Sequence, residues 1–255
     1  KGGQTMSYDV SIKITFITKE FLSIDFIENL LKQLDLRENL NQSNWRAERF
    51  SIYHTKEDTE WVLNNANLWY WNLSFYSHNE DLYFRMEQTE NVIGISYILL
   101  KCKNDEQFIN HCLDVLKDIF QDHYFMIHVI EEKIYERQIQ AFEDLNNKWH
   151  NRFQKMKADY KLRGDSFRIF DELGINVGLS RKMCFGRYMF DYFDKERLLS
   201  CPYVYHAEET KNGIEIQLYE NLIQERSLFN EWRIRHYYQI SKVAKEISLK
   251  LRKVE

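Results

Sequence analysis

The 255-residue chain has one proline, Pro202, and eight glycines. Neither G-x-G-x-x-G nor G-x-x-x-x-G-K-[ST] can be found among so few glycines, so the common phosphate-cradling loops are excluded. A hydrolase elbow of the form G-x-S-x-G is also missing. The four cysteines, Cys102, Cys112, Cys184 and Cys201, form no C-x-x-C pair and match neither a disulfide framework nor a zinc site. Free thiols in a reducing cytosol are the expectation. Eight histidines supply no H-x-x-x-H or H-E-x-x-H. His123 and His128 are an odd number of residues apart on or beside one strand, so they face opposite sides and cannot chelate together. No apolar run approaches the roughly 18–20 residues of a membrane span. Lys1 to Thr5 reads as an extraneous extension ahead of a native Met6, with no signal peptide or lipidation motif after it. These absences remove the usual grounds for a cofactor, a metal or a catalytic nucleophile, and none is expected.

What the chain does have is aromatic residues, 15% of the total, and 29% charged residues. Aromatic side chains bring large buried area, and they also serve as binding surfaces. The net charge of −4 is unevenly spread. Residues 1–130 carry 12 basic and 19 acidic side chains, and the remainder carries 23 and 20. An acidic first half suits nucleic acid poorly and a basic protein partner well. The length fits one large domain or two closely packed ones.

Tyr8 to Ile17 alternates apolar and polar residues, so it reads as a strand with one buried and one wet face. A helix follows over about Lys19 to Leu36, with Phe26, Ile27, Leu30, Leu31 and Leu34 on one stripe. Arg49–His54, Leu68–Tyr76, Asp81–Gln88 and Val92–Leu100 read as strands of an antiparallel meander, the last of them central. Trp61 to Leu63 takes no assignment. Asn104 looks like an N-cap with Gln107 completing a capping box. Tyr124 to Ile130 is a strand, and Glu131 to about Leu162 a long charged helix. Phe167 to Val177 is a further strand, and Met183 to Leu199 an aromatic-rich helix. Tyr203–Ala207 and Ile214–Leu218 form a hairpin around Lys211-Asn212-Gly213, since an Asn-Gly pair tolerates positive φ. A final helix covers Leu222 to Leu251. The fold expectation is α+β: an antiparallel sheet meander with packed helices, in two similar-sized lobes (residues 6–164 and 165–255) joined by the long helix.

Two constellations merit chemical attention. Glu131-Glu132-Lys133 at a strand end, with Asp114 or Asp122 upstream, has the residue types of a restriction-type nuclease, whose carboxylates hold a divalent ion that activates water. The bland alternative is a solvated helix start, where acids favour the positive end of the dipole. The second constellation is acidic and aromatic. Glu57, Asp58 and Glu60 in a loop, Glu80 and Asp81 at a turn, and Glu87 and Glu90 at the next would join Trp61, Trp69, Tyr70 and Tyr76 in one surface if the meander clusters its turns. Such a surface combines charge steering with aromatic anchors.

The stretch Gly186 to Glu220 carries a family resemblance. Gly186-Arg187-Tyr188, the turn at Pro202 and the Asn212-Gly213 hairpin tip resemble the immunity proteins of bacterial polymorphic-toxin systems, in particular the family numbered 52. The resemblance implies a non-enzymatic, cytoplasmic α+β protein that binds a cognate toxin, often a nuclease, and blocks its active site or substrate groove. The partner would be a basic protein, with neither membrane nor direct nucleic acid involved. The residues leave two other readings open: a divalent-metal nuclease using Glu131 and Lys133, or a phage or defence accessory domain that binds another protein. On the immunity reading Gly186–Glu220 is scaffold, and the partner-binding face lies on the turns between Glu57 and Glu90.

Overall fold

A computed structural model describes residues 9–17, 23–34, 46–47, 52–53, 72–76, 83–88, 95–131, 179–220 and 228–251. The described strands are β1 (Val10–Ile17), β2 (Arg46–Ala47), β3 (Ile52–Tyr53), β4 (Asn72–Tyr76), β5 (Tyr83–Gln88), β6 (Ile95–Cys102), β7 (Tyr124–Glu131), β8 (Lys182–Gly186), β9 (His206–Thr210) and β10 (Gly213–Gln217). The described helices are α1 (Ile24–Gln33), α2 (Glu106–Phe120), α3 (Lys195–Leu199), α4 (Leu228–Tyr237) and α5 (Ile240–Leu251), with a 3-10 segment at Arg187–Asp191. All ten strands join one sheet in the order β3-β2-β4-β5-β6-β1-β7-β8-β10-β9, and every pairing is antiparallel. This is the antiparallel α+β architecture expected. The order β5-β6-β1-β7, with α1 after β1 and α2 between β6 and β7, has the connectivity of a ferredoxin-like unit. The second half of the chain extends that unit, because β8 pairs directly with β7.

The helices divide between the two faces. Val10, Ile12, Ile14 and Phe16 of β1 pack with Ile27, Leu30 and Leu31 of α1 and with Ile109, Leu113 and Leu116 of α2 in one core. On the other face Met126, Met183, Phe185, Ile214 and Ile216 pack with Met189, Leu198, Ile234, Tyr238 and Val243 in a second core. The two cores therefore share one sheet. The expected boundary near residue 164, the rest of the long helix after Glu131, the Phe167–Val177 strand and Trp61–Leu63 lie outside the described residues.

Several local expectations are corrected. Ser11, Lys13 and Thr15 are buried along with the apolar face of β1, because β1 lies between β6 and β7 and is covered on both sides. The Lys13 ammonium stands 4.2 Å from the centre of the Tyr97 ring. Helix α1 starts at Ile24, since the Ser23 backbone is extended and its hydroxyl accepts from the Phe26 N–H. Asp105, not Asn104, caps α2, accepting from the N–H groups of Gln107 and Phe108. Glu131 ends β7 as a strand residue opposite Val10 rather than opening a helix. Met183 to Gly186 is strand, not helix: apolar on both faces, it lies between β7 and β10. The final helix breaks at Gln239, whose φ of 53° lies in the left-handed region.

The β9–β10 hairpin also differs from expectation. Thr210 and Gly213 face each other, so the two-residue loop is Lys211-Asn212. Among the described non-glycine residues only Gln121 and Gln239 have positive φ, so Asn212 does not use that freedom. Gly213 matters for closeness instead. A Cβ there would stand 2.0 Å from the Phe185 carbonyl oxygen, and one on its register partner Gly186 would meet the Tyr124 carbonyl oxygen. The paired glycines let β7, β8 and β10 approach where the Tyr124 hydroxyl donates to the Asn212 carbonyl.

Candidate functional site

Helix α2 has two working sides. Its apolar side, with Ile109, Leu113, Leu116 and Phe120, is buried in the first core. Glu106, Asn110, Asp114 and Lys117 recur every three or four residues and so share another side. That side meets the second half of the chain through a polar seam. Arg181 donates to Glu106 at 2.9 Å, Lys182 to Asn110 at 3.3 Å, and Lys117 to Glu215 at 3.0 Å. The Asn212 side chain donates to the Lys117 carbonyl at 2.9 Å.

Glu215 is the centre of the seam. One carboxylate oxygen takes Lys117 and the other takes Lys182, each at 3.0 Å. Burial alone would raise the Glu215 carboxyl, but the two ammonium groups outweigh it and hold the group below the ordinary carboxylate range. Burial opposes the Lys117 charge too, and its anionic surroundings, Glu215 among them, still raise its pKa. The Cys184 thiol lies 3.6 Å from Glu215, and burial first, then that carboxylate, push it up. Cys102 is likewise pushed up to about 12 by burial, with Asp105 and Asp9 adding to it. All four cysteines are free and buried. Cys184 is therefore a neutral packing thiol, not an activated nucleophile.

A buried serine–histidine contact also exists. His128 Nδ1 lies 3.0 Å from Ser180 Oγ, and Ser180 donates to the Lys182 carbonyl at 2.9 Å. Both side chains are fully enclosed. The hydroxyl proton is directed to a backbone carbonyl, so the pair anchors the start of β8 to β7.

The acids of the nuclease-like pattern are engaged by three different cations. Asp114 pairs with Lys117, Asp122 with Arg187, and Glu131, almost wholly buried, stands 3.7 Å from Arg181. Asp122 precedes β7 and Glu131 ends it, so the seven strand residues Tyr124 to Ile130 lie between them. Lys133 lies outside the described residues. Among the described residues no group of three or more His, Cys, Asp or Glu side chains is placed to hold a metal. No helix among them is long and apolar enough to cross a membrane.

Of the acidic and aromatic residues expected to form one surface, Tyr76 and Glu87 lie on described backbone. Tyr76 pairs with Tyr83 at one end of the β4–β5 hairpin, and Glu87 with Asn72 at the other. Four strand residues put these ends about 13 Å apart. The C-terminal ends of β4 and β5, at Tyr76 and Gln88, thus lie at opposite ends of the hairpin. Glu57, Asp58, Glu60, Trp61, Trp69, Tyr70, Glu80, Asp81 and Glu90 lie outside the described residues.

The described residues do contain an exposed aromatic surface, in the stretch read as scaffold. Around Pro202 the Tyr203 and Tyr237 rings meet edge to face at 6.3 Å. Arg197 of α3 lies over Tyr237 at 5.7 Å, and Arg233 of α4 over Tyr203 at 5.5 Å. The Tyr237 hydroxyl meets Ser200 Oγ at 3.1 Å, and Asn230 donates to the Tyr203 carbonyl. Tyr205, next along, is 56% exposed, the most of any large apolar side chain described. Three elements thus hold a row of rings and guanidinium groups in fixed positions at the surface. The one local signal was a proline among alternating aromatics, 202 to 205. The helical partners Arg233 and Tyr237 lie some thirty residues on, beyond any local pattern.

Against this geometry, no family model, no curated protein and no solved structure matches the chain.

Proposed function

We propose that this chain is a non-catalytic inhibitor of the immunity type, which binds a cognate bacterial toxin and covers its active site or substrate groove. The observation that carries the reading is the ordered aromatic–arginine surface around Pro202. Tyrosine and arginine are the residues that most often anchor protein interfaces, and anchors held in place before binding lose less entropy when a partner arrives. The acidic first half adds long-range attraction for a basic toxin, a nuclease above all, with association slowed by salt. The resemblance of Gly186–Glu220 to immunity proteins supports the same reading. Cys184, His128 and Glu215 serve packing and the seam, which fits a role in recognition.

The test is co-expression with the toxin encoded by the adjacent reading frame. Cells are expected to survive, and the two chains to co-purify. Glu131→Gln, which keeps the buried shape beside Arg181, combined with Lys133→Ala is expected to leave protection intact, whereas a metal nuclease would lose its activity with that change. Absence of both protection and a complex would overturn the reading.

A further inference from the structure

Among the described strands, β9 ends the sheet order on its side. Its two-residue loop makes Thr210 and Gly213 a hydrogen-bonded pair, so the alternation of an antiparallel ladder directs His206 and Glu208 toward β10. The N–H and C=O groups of Ala207 and Glu209 then point away from the sheet, and they have no partner among the described residues. Such an edge is a template for another strand. Tyr205, largely exposed, stands at its beginning.

We propose that this edge receives an extended, lysine- or arginine-bearing segment of the partner protein as an added strand, with Tyr205 as its aromatic anchor. Charge selects this occupant. Glu208 faces Glu215 across the β9–β10 pair. Glu215 is already held by Lys117 and Lys182, so Glu208 projects a charge with His206, at 3.4 Å, as its one ion-pair neighbour among the described residues. A second copy of β9 added antiparallel through Ala207 and Glu209 would set Glu208 against Glu208, a like-charge pair that opposes association. A strand with a basic residue at that position would answer the charge instead. The proposal rests on the reading of this chain as a binder of a basic protein and names where that partner docks.

The test uses the full chain and two fluorescent twelve-residue β-forming peptides, one bearing alternating lysines and the other glutamates at the same positions. The lysine peptide is expected to bind and to slow amide exchange at Ala207 and Glu209, and the glutamate peptide to bind at least tenfold more weakly. Ala207→Pro removes an outward donor and leaves the bonds to β10, so it is expected to weaken the lysine peptide at least tenfold with an unchanged melting temperature. Glu208→Lys, which keeps the backbone, is expected to reverse the preference between peptides. The proposal is overturned if the lysine peptide fails to bind, if it binds without protecting those amides, or if Ala207→Pro leaves it unaffected. A dimer in sedimentation that Ala207→Pro abolishes would also overturn it, by making a second copy the occupant. The toxin-protection assay on the unaltered chain judges the immunity reading separately. Protection that survives Ala207→Pro, together with no peptide binding, would sink the edge and leave that reading standing.

Discussion

Glu215 and Glu208 face each other on neighbouring strands, on the same side of the sheet, and live in opposite surroundings. Glu215 is 12% exposed and gripped by two lysines, one of them from a helix in the other half of the chain. Glu208 is 55% exposed on an open edge beside a histidine. The same residue type serves two purposes. Within the seam a charge is answered on every side, so removing it leaves buried partners stranded. At the edge a charge faces water, so removing it costs the fold little and changes only what can approach. The seam and the edge therefore separate along one axis, stability against recognition.

The hardest test of the seam side is at its backbone. Gly186→Ala or Gly213→Ala would drive a methyl group into a carbonyl oxygen that belongs to an adjacent strand. Backbone cannot move aside as a flexible side chain would, and the two positions are register partners in the same three-strand junction. Each substitution is expected to cost about 3 kcal/mol or more, above the usual range for overpacking. Thermal melting checks this. A loss under about 1 kcal/mol would mean the β8–β10 junction is looser than its geometry.

Next in size is Glu215→Gln, which keeps the shape and removes the charge. Lys117 and Lys182 would then share a part-buried site without their common carboxylate. Breaking a buried ion pair costs about 3–5 kcal/mol, and the residual exposure of both lysines puts this case near the lower end. A fall in melting temperature of about 6–12 °C follows for a chain of this size. A change comparable to that of an ordinary surface substitution would place Glu215 with Glu208 and erase the contrast.

Acid sharpens the same point. The folded pKa of Glu215 is depressed, so its stabilisation is complete above the ordinary carboxylate value of 4.5 and drains away as pH falls through the depressed folded value. The stability gap between the natural chain and Glu215→Gln is therefore expected to be constant near neutrality and to narrow below about pH 4.5. Denaturant melts at pH 7 and pH 3 measure it. A gap that does not change would mean the carboxylate is not what the lysines require.

The sequence carried one half of this contrast better than the other. The antiparallel α+β architecture was legible from alternating strands and striped helices, because both periods are local. The α2 side bearing Glu106, Asn110, Asp114 and Lys117 is visible in the spacing as well. Its partners are not: Arg181, Lys182 and Glu215 lie 72 to 98 residues away from the α2 residues they bond. Nothing local says which lysine will meet which carboxylate. The alternation in β1 promised a wet face, yet Lys13 is buried beside Tyr97, since periodicity reports a strand's own pleat and not what a later layer places over it. Glu208 and Glu209 follow the strand expected at Tyr203–Ala207, and only the observed register places them in an edge strand. The aromatic surface failed in the same way, because Tyr203 and Tyr205 were visible while the distant Arg233 and Tyr237 that order them were not.

The smallest expected effect on stability is at the edge itself. Glu208→Gln should change stability by no more than about 0.5 kcal/mol, the range for exposed positions without a special role. Its sign is informative all the same. Glu208 stands opposite Glu215, and two carboxylates directly across an antiparallel pair repel. Removing one should leave the fold unchanged or slightly firmer, provided the two lysines truly neutralise the other. In the Glu215→Gln background that repulsion is gone, and Glu208 becomes a nearby anion for Lys117 and Lys182. There the second substitution should be neutral or mildly harmful. A double-mutant cycle measured by denaturant melts isolates the coupling. A coupling indistinguishable from zero would mean that Glu208 does not sense the seam, and its charge then answers only to whatever lies outside the sheet.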